Sequence, residues 1–185
     1  MSGSLTGAFG THKGIHMIPR ASPGRSVREL IDAKTRIGKE LRAAGYLYDN
    51  RTLIFSSITD IAECGPVQLL GIDDSDEEIG LSICDRLLES GRHDPGNIRD
   101  HKLSDWKAFV ASGAKSSKHF EASSLYFSME TVNSAIILRA RHRLSLEPSF
   151  WMSATLSNGQ THDVFGAAIK RLVRGVKTLR DAGVL

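Results

Sequence analysis

Val67-Gln68-Leu69-Leu70-Gly71-Ile72 leads through Asp73 and Asp74 to Ser75, then Ile79-Gly80, Ile83 and Leu87. Trp151-Met152-Ser153-Ala154-Thr155-Leu156 leads in the same way to Thr161, then Phe165-Gly166, Ile169 and Val173. From the hydroxyl residue onward the two stretches match at a constant offset of 86 residues. Each reads as an apolar strand, a polar turn, a hydroxyl at a helix N-cap, and a helix with glycine in its second turn. A unit that occurs twice implies a pseudo-symmetric scaffold. Glycine in both helices implies close approach between each helix and its sheet, because no Cβ stands in the way.

Working outward, Ser26 with Glu29 forms a capping box that opens an earlier helix. Its apolar stripe is Val27, Leu30, Ile31, Ile37 and Leu41, and Gly45 is the expected stop. Residues 46–72 read as β structure: Tyr46-Leu47-Tyr48, a turn at Asp49-Asn50, a run from Thr52 to Ile58, and the first repeat's strand after Gly65-Pro66. Ser75 and Glu78 make a second capping box, and Gly91 ends that helix. A polar connection over residues 91–104 precedes a short helix over 104–111, with Trp106, Phe109 and Val110 turned inward. Gly113 to Lys118 reads as a basic loop. Two long strands follow, Ser124–Val132 and Ala135–Leu146, joined at Asn133-Ser134. In the last helix Phe165, Ile169, Leu172, Val176 and Leu179 recur at helical spacing, with Lys170, Arg171, Arg174, Lys177 and Arg180 on the other side.

The fold expected is therefore α+β. It is a single domain of two pseudo-repeated β-β-α halves, about 14–92 and 104–180, with helices packed on an antiparallel or mixed sheet. Residues 1–13 read as a loose tail, and Gly14-Ile15-His16-Met17-Ile18-Pro19 as a short strand ended by its proline. With 185 residues and 41% apolar content the chain can build a real core. No apolar run approaches the roughly 20 residues of a membrane span. The two cysteines, Cys64 and Cys84, form neither a CxxC pair nor a disulfide framework, so the expected setting is the reducing cytoplasm.

A net charge of +3 conceals a division along the chain. Residues 1–45 hold 8 basic and 3 acidic side chains, residues 46–105 hold 5 and 13, and residues 106–185 hold 11 and 5. An acidic middle argues against a uniformly basic, nucleic-acid-coating surface. Within it, Asp73, Asp74, Asp76, Glu77 and Glu78 place five carboxylates in six residues. Helix capping and the helix dipole account for part of this charge. A patch for a basic protein partner is the functional reading. A metal site is the third, but the spacing does not fit an EF-hand loop. Arg139, Arg141 and Arg143 alternate with apolar residues, so a strand puts all three on one face, about 6.6 Å apart. Such a row could follow phosphates, pair with the acidic middle, or keep a sheet face wet. No aromatic stacking residues accompany it in the sequence.

The seven histidines are scattered, and no HExxH, nucleophile elbow, Walker loop or GxGxxG occurs. Neither catalysis, a metal nor a cofactor is expected.

Four features together resemble the immunity proteins of bacterial contact-dependent growth inhibition systems. They are the Gly14-Ile15-His16-Met17-Ile18-Pro19 piece, the Ser75-x-x-Glu78-Ile79-Gly80 helix start, the stretch from Ser104 through Trp106 to Ser116 before a pair of long strands, and a second glycine-bearing helix start near the end. The second start, Thr161-His162-Asp163-Val164-Phe165-Gly166, departs from the first by lacking its glutamate. The resemblance implies a cytosolic antidote, not an enzyme, that binds the toxic C-terminal domain of a delivered effector, commonly a nuclease. Asp73, Asp74, Asp76 and Glu77 would then occupy a basic cleft. The competing expectation is a nucleic-acid-associated regulator using Arg139, Arg141 and Arg143 together with the basic face of the helix over 170–180, although nucleic acid is not the favoured partner.

Overall fold

The computed structural model describes residues 29–30, 38–141, 151–157 and 159–184. Three strands come first: β1 (Arg42–Tyr48), β2 (Thr52–Thr59) and β3 (Ala62–Gly71). Helix α1 (Asp76–Leu88) follows. Two single 3-10 turns (Ile98–Asp100 and Leu103–Asp105) and two short helices, α2 (Lys107–Ser112) and α3 (Ser117–Ser123), lead into the second half. That half holds β4 (Ser124–Val132), β5 (Ala135–Arg141), β6 (Met152–Ser157) and the long helix α4 (His162–Asp181). The strands form one antiparallel sheet in the order β3-β2-β1-β4-β5-β6. The chain is a single α+β domain.

Each half is thus a three-strand meander followed by a helix. The halves join through β1 and β4, paired from Arg42↔Glu130 to Tyr48↔Ser124, so the pseudo-dyad runs between these two central strands. The expected β-β-α halves each gain a strand, and among the described residues every strand pair is antiparallel. Turns between strands use residues that tolerate positive φ: Asp49 at 51°, Asn50 at 57°, Asp60 at 56° and Asn133 at 52°. Where Gly65-Pro66 interrupts β3, the β2–β3 register slips between Phe55 and Ser57. The bulge has Gly65 at φ 74°, and Arg86 donates to the Pro66 carbonyl at 2.6 Å.

The first helix expected from Ser26 to Gly45 does not reach its predicted end. Glu29 and Leu30 are helical, but Arg42–Tyr48 is strand, and Gly45 lies inside it. A Cβ on Gly45 would come within 2.8 Å of the Phe55 ring, so glycine serves cross-strand packing here instead of stopping a helix. The pattern misleads because β1 is central and Ala43 to Leu47 are buried on both faces, leaving no alternation to read. The expected loop over 113–118 is also shorter. Ser116 caps α3 by accepting from the His119 amide at 3.2 Å. Val110, expected inside, is 56% exposed, while Ala108 takes the buried position. The 14–19 strand, the Ser26 cap and the 1–13 tail lie outside the described residues.

The two faces of the sheet are covered differently. On one, Leu47, Phe55, Phe127, Met129 and Leu138 pack against Ile79, Ile83 and Leu87 of α1 and Phe165, Ile169, Leu172 and Val176 of α4. This is the main core, and the repeat's apolar residues supply both helical contributions. On the other face Tyr46 and Ile54 pack with Ala108 and Phe120, flanked by Trp106, Phe109 and Tyr126. Residues 103–123 therefore form a small outer layer over the first half.

Candidate functional site

The acidic turn sits where β3 hands over to α1, and much of its charge has local work. Ser75 and Glu78 form the expected capping box: the Glu78 amide donates to the Ser75 hydroxyl at 3.2 Å, and the Ser75 amide to Glu78 Oε2 at 3.3 Å. Asp74 accepts from the Gly71 amide at 3.0 Å, which closes the turn. Asp76 pairs with Lys170 of α4 at 2.7 Å, and the same ammonium donates to the Asp74 carbonyl at 2.7 Å. Asp73 and Glu77 are exposed, and of the four proposed contact carboxylates these two face solvent most freely. Among the described residues no group of three or more His, Cys, Asp or Glu is placed to hold a metal ion.

Of the arginine row, Arg139 and Arg141 share the outer face of β5, and Arg143 lies outside the described residues. Arg139 is ion-paired with Glu130 on the neighbouring strand. The Arg141 guanidinium lies 5.0 Å from the Tyr126 ring centre and 4.8 Å from that of Trp151. The row thus has the aromatic company that linear sequence concealed. Tyr126 is the cross-strand partner of Arg141, and Trp151 immediately precedes β6. Ser153, Thr155 and Ser157 complete an exposed, uncharged row along β6.

Sequence reasoning missed Glu63. This β3 carboxylate accepts from the Tyr46 hydroxyl and, at 3.2 Å, from the Trp106 indole on Oε1, and from the Ser56 hydroxyl at 2.7 Å on Oε2. Burial raises the carboxyl's pKa, while the three donors pull it back down. Tyr46 is pushed well above the ordinary phenol range, first by burial and then by the neighbouring Glu63. A lone glutamate within an apolar strand was the available signal, but the donors come from three separate elements.

The sheet's ends hold two openings. One, of about 700 Å³, lies between Lys39–Arg42, the β2–β3 turn and the segment after α1, and carries side chains of both signs. The other, of about 230 Å³, is a notch lined by Asp49, Asn50, Lys177 and Arg180. Neither concentrates one kind of charge.

No helix among the described residues is long and apolar enough to cross a membrane. No family model and no curated protein matches the sequence. The fold is similar to that of a protein of unknown function from Neisseria meningitidis, with 18% identity and a TM-score of 0.57 over 71% of this chain and 92% of that one. It is also similar to a chain from a CdiA-CT/CdiI toxin and immunity complex from Yersinia pseudotuberculosis, with 15% identity and a TM-score of 0.55 over 74% of this chain and 97% of that one. At these identities the likeness is one of fold.

Proposed function

We propose that this protein is an immunity protein, acting in the cytoplasm, that binds and neutralises the toxic C-terminal domain of a contact-dependent growth inhibition effector. The observation that carries the reading is the fold likeness to a chain of a toxin and immunity complex, over nearly the whole length of that chain. The sequence features that resemble immunity proteins support the same reading. The protein acts by binding, without catalysis, and its partner is a basic domain, most simply a nuclease.

The contact surface we assign is the acidic turn. Asp73 and Glu77 present charge outward, while Asp74 and Asp76 hold the turn in shape and add to its field. Such a surface steers a basic partner into place and makes association fast and salt-dependent. The pairing of Arg139 with Glu130 weighs against the nucleic-acid regulator, since it neutralises part of the row that would follow phosphates.

The test is purification of the tagged chain from its native cell at low salt, with protein identified by mass spectrometry and nucleic acid by absorbance. A basic polypeptide that stays bound until denaturant is added, and whose expression alone stops growth, is the expected result. Nucleic acid released by moderate salt, with no co-purifying protein, overturns the proposal in favour of the regulator.

A further inference from the structure

At one end of the sheet three elements enclose the notch of about 230 Å³. The β1–β2 turn supplies Asp49 and Asn50, the junction of α3 with β4 supplies Ser123 and Ser124, and the last turns of α4 supply Lys177 and Arg180. Leu125 and Val176 add apolar surface between them. Backbone bonds hold the walls. The Asp49 amide donates to the Ser123 carbonyl at 3.1 Å, and the Arg51 amide closes the turn on the Tyr48 carbonyl at 3.1 Å.

The fold leaves the charged groups of this notch without local work. Among the described residues neither Asp49 nor Lys177 forms an ion pair, although both border the same space, and Arg180 has only its neighbour Asp181, at 3.7 Å. The end of α4 does not need these cations either. The carbonyls of Thr178, Leu179 and Arg180 accept from the amides of Ala182, Val184 and Gly183 at 3.0, 2.9 and 2.9 Å. Ser124 is 5% exposed, and among the described residues its hydroxyl has no hydrogen-bond partner. A hydroxyl withdrawn from bulk water without a partner is costly, and an oxygen bound in the notch relieves that cost.

We propose that this notch binds a small phosphomonoester: Lys177 and Arg180 hold the phosphate, and Asp49 accepts from a hydroxyl on the carbon skeleton beside it. A phosphomonoester carries a charge of about −1.5 to −2 at neutral pH, which two cations match better than they match a single carboxylate. Arginine offers a planar fork of donors and lysine a compact charge, two complementary ways of holding phosphate. Asp49 repels a bare anion, so the site favours an ester whose hydroxyl donates to that carboxylate. The notch is also smaller than the roughly 300 Å³ at which pockets for drug-sized molecules begin, which suits a sugar phosphate. The terminal phosphate of a nucleic-acid strand offers the same group, and the experiment separates the two sources.

The experiment is titration of the full chain with ribose 5-phosphate, inorganic phosphate and ribose at constant ionic strength, followed by backbone amide NMR and calorimetry. Ribose 5-phosphate should shift the amides of Asn50, Ser124, Lys177 and Arg180 saturably and bind more tightly than inorganic phosphate, and ribose should leave them unmoved. Lys177→Gln and Arg180→Gln should each weaken binding about tenfold, the scale of one charge-assisted hydrogen bond. Asp49→Asn should erase the preference for the ester over inorganic phosphate. Arg174→Gln, on the same helix but outside the notch, should bind as the wild type does. The absence of saturable shifts overturns the site, and so does an equal loss in Arg174→Gln and Lys177→Gln, which means diffuse attraction to a basic helix. An oligonucleotide that binds as tightly as ribose 5-phosphate when 5′-phosphorylated, and not otherwise, overturns the small-ester assignment in favour of strand ends. None of these readouts involves a toxin, so this inference stands or falls apart from the immunity reading.

Discussion

Gly80 and Gly166 occupy equivalent places in the two repeats and face each other's helices: a Cβ on Gly80 would lie 1.8 Å from the His162 carbonyl oxygen, and one on Gly166 would lie 1.9 Å from that of Asp76. The helices α1 and α4 therefore cross at their first turns about the pseudo-dyad, each glycine receiving the opening residue of the other helix. The glycines serve helix-to-helix approach, not the helix-to-sheet approach that their spacing alone suggests. Neither obstacle is a flexible side-chain end. Both are backbone, so an added methyl must push the helices apart.

Gly80→Ala and Gly166→Ala should each destabilise the fold by about 1–3 kcal/mol, the usual range for overpacking, despite alanine's better helix propensity. Because the two sites share one crossing, the double variant should cost less than the sum of the singles. Urea unfolding of the three variants checks both statements. Stabilisation of either single variant would mean that the crossing yields freely.

The two helix starts should respond differently to loss of their caps. Ser75 accepts from the Glu78 amide, so Ser75→Ala should cost about 1 kcal/mol. The Thr161 side chain makes no capping bond, and Thr161→Ala should stay within about 0.5 kcal/mol of the wild type. Thermal or urea denaturation distinguishes them. Equal losses would contradict the asymmetry between the repeats.

Within the acidic turn, Asp73→Asn with Glu77→Gln should leave stability nearly unchanged while slowing association with a basic partner and flattening its salt dependence. Asp76→Asn should instead cost up to about 1 kcal/mol of stability through the half-exposed Lys170 pair. Association rates at two salt concentrations, read beside a denaturation curve, separate the roles. An unchanged rate at low salt in the Asp73/Glu77 variant moves the contact surface elsewhere and leaves the immunity reading intact.

Both thiols should be silent in the native protein. Burial pushes Cys84 up to about 12, with Asp85 adding to the shift, and burial raises Cys64 as well. Only the thiolate attacks, so at pH 8 an alkylating reagent should modify neither residue until denaturant is added. Mass spectrometry of the labelled chain counts the adducts, and native-state labelling of Cys84 would contradict its placement between helix and sheet.

Strong local signals survived into the structure. The capping box at Ser75 and Glu78, the apolar stripe of α4, the turn residues Asp49-Asn50 and Asn133, and the alternation of the arginines along β5 all depend on near neighbours in the chain. The misplaced end of the first helix had a physical cause as well. Central strands buried on both faces lose their period of two, and Ala43-Ala44-Gly45 then resembles a fading helix. Helix α3 did leave a trace, the Ser116 cap, which the lysines around it obscured.

The candidate sites divide along the same line. The acidic turn was legible because five carboxylates stand together in sequence, but Lys170, its half-neutralising partner, is far along the chain. The repeat, most of the elements and the faces they present were readable along the chain, since helical and strand periods are set by residues within a few positions of one another. Long-range packing alone sets the pairing of β1 with β4, the meeting of Gly80 with His162, the rest of Arg141 against Tyr126 and Trp151, and the convergence of three donors on Glu63. Those contacts join elements distant in the chain, and their choice is made by the collective fit of the core, where shape and burial act on all the elements at once.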